Sequence, residues 1–148
     1  MTRSVFVYVT YIRATPERLW SALTDKTFIP RYWFGMTCES EWRPGSPWKL
    51  MFEDGRVADR GEILEADPPK KLVIKWMNEF RPELAAEGPA RCTFLLEAEG
   101  AATKLTIVHE MDKPQSLVIE AVSGGWPKIL SNLKSLLETG EVVLTLAR

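Results

Sequence analysis

His109 is the only histidine in the 148-residue chain, and so its only side chain whose unperturbed pKa lies near neutrality. It shares parity with Leu105 and Ile107 in an alternating segment, which turns it inward near the end of a strand. Three roles fit such a residue: an acid or base assisted by Asp59 or Glu110, a hydrogen-bonding group that orients a ligand, or a core histidine held by a carbonyl. A single histidine argues against a metal site, since His109-Glu110 is not followed by the second histidine that a zinc-binding helix requires. No metal or cofactor is expected. Asp59, Arg60, Glu62 and Glu65 alternate across both faces of a hairpin. That hairpin is either solvated, or it buries Asp59, a costly charge needing Arg56, Arg91 or His109 beside it. Cys38 and Cys92 have no matched base nearby in sequence and read as inert buried thiols. There is no glycine-rich phosphate loop and no serine nucleophile elbow.

Six tryptophans and six phenylalanines form the other candidate set. Trp48, Leu50, Phe52, Trp76, Phe94, Leu96 and Ile107 fall on strand faces read as inward, while Trp33, Phe34, Val122 and Trp126 come from segments read as helical or flanking. Large rings either fill a core or line a pocket for an apolar ligand, where a few inward polar groups such as Asp59 and His109 would orient it. Both readings fit the pattern.

The elements that carry these residues are legible in order. Ser4 to Ile12 is rich in β-branched and aromatic residues and predicts a strand. Thr15 is a good N-cap, Pro16 suits the first helical position, and Leu19, Trp20 and Leu23 make the stripe of a short helix ending near Thr24. A second short helical piece is expected from about Asp25 to Trp33. Period-two segments follow: one through Trp48 to Phe52, a turn at Glu53 to Arg56, then Val57 to Ala66, Leu72 to Met77, Cys92 to Glu97 and Lys104 to Glu110. The stretch from Asn78 to Pro89 predicts a polar loop, with a helical turn at Pro82 to Glu87, that serves as a lid or as a plain connector. Val118, Val122, Trp126, Ile129, Leu133 and Leu136 recur on one face of a helix from about Gln115 to Glu138, with a kink expected at Pro127 and a stop at Gly140.

Contiguous strands joined by short turns favour an antiparallel sheet, and the long helix is the cover for its apolar face: an α+β domain spanning residues 1–148. The charge balance, 19 basic against 20 acidic residues, leaves no electrostatic footprint for nucleic acid. Without a membrane span, a signal-like stretch or a paired cysteine framework, a cytoplasmic location is expected. Exposed edge strands leave room for a homodimer.

The segment from Tyr11 to Asp25, Trp33-Phe34-Gly35, Gly61 to Glu65 followed by Pro68 to Leu72, and the ending from Gly125 to Gly140 resemble the Aha1 C-terminal-domain-like family. The resemblance implies a START-like helix-grip fold, with six or seven antiparallel strands wrapped around the last helix, two short helices after the first strand, and a cavity between sheet and helix. It implies binding of a small hydrophobic, aromatic or lipid-like molecule. The alternatives are a cyclase- or hydrolase-type enzyme using His109, or a chaperone partner, because eukaryotic Aha1 proteins stimulate Hsp90. That activity also relies on a separate N-terminal domain, for which 148 residues leave no room, so its transfer is not expected.

Overall fold

The computed structural model describes residues 2–145. Strand β1 (Ser4–Ile12) leads to helices α1 (Pro16–Thr24) and α2 (Ile29–Tyr32). Strands β2 (Thr37–Ser40), β3 (Pro47–Met51), β4 (Val57–Asp67) and β5 (Lys71–Asn78) follow. A single turn of helix, α3 (Pro82–Ala85), then precedes β6 (Ala90–Glu99), β7 (Ala102–Met111) and the long helix α4 (Leu117–Thr139). All seven strands form one curved antiparallel sheet in the order β1-β7-β6-β5-β4-β3-β2, a meander whose first strand returns beside its last.

Local chemistry sets the boundaries. The Thr15 hydroxyl accepts from the Arg18 N–H and starts α1. The second helix is shorter than its sequence suggests because Asp25 diverts the preceding residues into a turn. Its carboxylate accepts from the N–H groups of Thr27 and Phe28 and from the Thr27 hydroxyl. Ser116 caps α4 at the Ile119 N–H, and Gly140, at φ 87°, ends it. Between those caps α4 runs unbroken through Pro127.

One close approach shapes the sheet beneath the cavity described below. Gly61 of β4 faces Trp76 of β5, and a Cβ at Gly61 would stand 1.7 Å from the carbonyl oxygen of Lys75. Only hydrogen fits there. Register shifts interrupt both neighbouring pairings of β4, at Leu50/Met51 against β3 and between Ile63 and Glu65 against β5.

The core lies between the concave face and the helices. Val118, Trp126, Leu133 and Leu136 of the α4 stripe are buried, whereas Val122 and Ile129 are half-buried. The outer face of β1 is unusual for a solvated strand, with Val5, Val7, Val9 and Tyr11 all exposed.

Candidate functional site

Val122 and Ile129 are half-buried because they border a cavity of about 670 Å³ between α4 and the end of the sheet formed by β3, β4 and β5. Its deep wall is aromatic: Trp33, Trp76 and Trp126, with ring centroids 5.4 to 6.1 Å apart. Phe34, Met36, Leu50, Ala58 and Leu84 extend the apolar lining. At the mouth Phe52 meets Phe80 edge to face at 5.7 Å, and the Arg56 guanidinium lies over the Phe52 ring while its Nε donates to Asp54.

Two polar residues sit in this wall. Asp59 and Asn78 face each other across β4 and β5, and the Asn78 Nδ2 donates to Asp59 Oδ1 at 2.8 Å. Both are buried, at 5 % and 6 % exposure. Burial pushes the Asp59 carboxyl up to about 7, against the pull of Trp76 and Asn78, with Glu79 adding to the rise. The Trp76 indole N–H is turned toward this carboxylate without reaching full hydrogen-bond geometry, and Asn78 Oδ1 has no partner. The cation expected beside Asp59 is not there. Arg56 is held by Asp54, Arg91 lies beside Glu65, and His109 is engaged elsewhere.

His109 is fully buried behind the aromatic wall, where its Nδ1 accepts from the Trp126 indole N–H at 3.0 Å. Nδ1 therefore carries no proton, and burial lowers the histidine pKa to about 4. The neutral ring fixes the indole that forms part of the cavity wall, and it does not itself line the cavity. Among the described residues its Nε2 has no hydrogen-bond partner.

The family model described as "Activator of Hsp90 ATPase homolog 1-like protein" matches residues 13–138. The chain belongs to this family. Solved structures agree on the Aha1-like, helix-grip fold. The protein MLL2253 from Mesorhizobium loti superposes with a TM-score of 0.80 at 24% identity, over 94% of this chain and 100% of that one. The Aha1 dimer from Colwellia psychrerythraea gives 0.75 at 19% identity, over 93% and 98%. PFC0360w, an HSP90 activator from Plasmodium falciparum, gives 0.73 at 25% identity, over 90% and 95%. No curated protein matches the chain significantly.

Within this Aha1-like fold the sequence candidates separate into three groups. Trp33, Phe34, Leu50, Phe52, Asp59, Trp76, Val122 and Trp126 come together around the cavity. Trp48 and Phe94 lie deeper, in an aromatic layer that leaves only about 20 Å³ and is in effect packed solid. Leu96, Ile107 and His109 lie in the core and border neither space, because the helices cover their end of the sheet. Phe52 reaches the mouth by a different route from strand alternation: β3 ends at Met51, and a turn closed by the Phe52 N–H on the Arg56 carbonyl carries the ring there.

Asn78, Phe80, Leu84 and Gly125 were not foreseen as lining residues. Asn78 had a usable signal, since it shares parity with Ile74 and Trp76. The segment from Asn78 to Pro89 is anchored at its far end. The Glu87 carboxylate accepts from the Ser116 hydroxyl and from the N–H groups of Leu117 and Val118, tying the segment to the start of α4. The thiols are shielded, with Cys38 pushed up to about 12 by burial and Cys92 raised well above the usual thiol range. Among the described residues no group of His, Cys, Asp and Glu is arranged to hold a metal ion, and no helix is long and apolar enough to cross a membrane.

Proposed function

We propose that this Aha1-like chain is a cytoplasmic binding protein for a small, largely apolar molecule held between α4 and the β3–β5 end of the sheet. The observation that carries the reading is the cavity itself: about 670 Å³ of space that the core leaves unfilled, walled in part by Trp33, Trp76 and Trp126. Its volume and its mostly apolar lining, with Asp59 and Asn78 as the few polar groups, match what ligand pockets share. Each 100 Å² of apolar ligand surface removed from water supplies about 2.5 kcal/mol before the costs of association. Enzymatic use of His109 is disfavoured, because the ring is occupied by Trp126 and lies behind the wall.

Gly125 supplies a clean test. It lines the cavity from α4, and a Cβ there meets nothing within 4 Å. A leucine at this position adds volume to the cavity and improves helix propensity. Titration with the neutral dye Nile red is expected to give one saturable site in the wild type, lost in Gly125→Leu at an unchanged or higher melting temperature. Equal dye binding by both proteins would sink the reading.

A second reading, association with another copy of the chain, rests on the exposed row Val5, Val7, Val9 and Tyr11 of β1. A structural relative is described as a dimer. Light scattering on the wild type and on Val7→Asp tests it, with loss of a dimer in the variant as the expected outcome.

A further inference from the structure

The polar end of the cavity is asymmetric in hydrogen-bonding capacity. Asn78 spends an N–H on Asp59 and keeps an unpartnered acceptor, Oδ1. Asp59, when ionised, is an acceptor only, and among the described residues no cation is paired with it. The Trp76 indole N–H is also turned toward the same carboxylate. Among the described lining residues, the Arg56 guanidinium is committed to Asp54 and to the Phe52 ring and does not pair with Asp59.

We propose that the cavity selects a protonated amine, an aromatic or aliphatic molecule whose body lies among Trp33, Trp76 and Trp126 and whose ammonium group donates to Asp59 and Asn78 Oδ1. This inference rests on the binding reading above and names the ligand's chemical class. An ammonium carries up to three N–H donors, enough for both acceptors, whereas an alcohol has one donor and leaves an acceptor unpaired. A carboxylate ligand would bring a second negative charge against Asp59 in a desolvated site. Indole faces favour a cation further, since their quadrupoles attract positive charge most strongly where water is excluded. The raised Asp59 pKa is in keeping with this, because it marks a carboxylate governed by burial rather than by a neighbouring cation.

Three near-isosteric probes separate the alternatives: 2-(1-naphthyl)ethylamine, 2-(1-naphthyl)ethanol and 1-naphthylacetate. They are titrated calorimetrically into the full-length chain at about pH 8, where the amine is protonated and Asp59 ionised. The amine is expected to bind at least ten-fold more tightly than the alcohol, with the acetate weakest. Asp59→Asn is expected to weaken the amine selectively and to bring the amine and the alcohol within about two-fold of each other. Alcohol or acetate binding as tightly as the amine to the wild type would overturn the amine proposal and leave the apolar-binding reading standing. No saturable binding by any of the three would overturn both. The wild-type comparison does not depend on how well the variant folds.

Discussion

His109 combines the sequence features of a catalytic group with the surroundings of a structural one. A neutral imidazole whose Nδ1 accepts from the Trp126 indole supplies one hydrogen bond and the orientation of one wall residue. Removing the acceptor leaves a buried indole N–H unpaired, which costs about 1–3 kcal/mol. His109→Leu is therefore expected to lower stability by that amount in urea unfolding, and His109→Gln to recover most of it by offering an amide oxygen to the same N–H. Equal losses in both variants would mean that ring packing against Trp76, at 5.4 Å between centroids, outweighs the hydrogen bond. The histidine's inward direction was readable from parity with Leu105 and Ile107. Its partner was not, because Trp126 lies on another element and no local pattern links the two. Asp59 shows the same divide: its burial was one of two readings, and the three basic partners considered for it gave way to Asn78, a neutral neighbour on the adjacent strand.

The elements were largely legible because their signals are local. The N-cap at Thr15, the stop at Gly140, the strand alternation and the stripe of α4 each depend on a few consecutive residues. What the α4 pattern could not show is that one stripe does two jobs. Val118, Leu133 and Leu136 fill the core, while Val122 and Ile129 face the cavity, a division set by how far the sheet curves away from the helix. On the cavity side of the sheet β4 and β5 approach closely at Gly61. Gly61→Ala would press a methyl group into the Lys75 carbonyl, so the strands must separate locally. The expected result is a loss of about 1–3 kcal/mol, the range for overpacking. Hydrogen exchange should be accelerated at β4 and β5 amides and little changed in β1 and β7. Uniform acceleration across the sheet would show that the contact acts globally rather than on this edge of the cavity.

Over the whole molecule, two buried groups with opposite shifts give the chain an unusual acid profile. Asp59 has a folded pKa of about 7, above its ordinary value of 3.8, so between these values the folded state holds a proton that the unfolded state has released. Stability from this group is greatest below the unfolded value and falls as pH rises through 7. His109 has a folded pKa of about 4, below its ordinary value of 6.5, so in that window the unfolded state binds the extra proton. Its contribution is present above 6.5 and is lost as pH falls toward 4. Well inside the shared window each group changes stability by about 1.4 kcal/mol per pH unit, with opposite sign. The carboxylates with lowered pKa, Asp25, Asp54, Glu83, Glu87 and Glu138, add a loss that begins only below their ordinary range. Wild-type stability measured by urea unfolding is therefore expected to be nearly flat around pH 5 to 6. Asp59→Asn removes one of the two opposing slopes, so this variant should gain stability as pH rises across that interval. His109→Gln removes the other, so it should lose stability over the same interval. Parallel, flat profiles in both variants would mean that neither group holds its unusual charge state in the folded protein, and the electrostatic basis for an amine-selective cavity would fall with them.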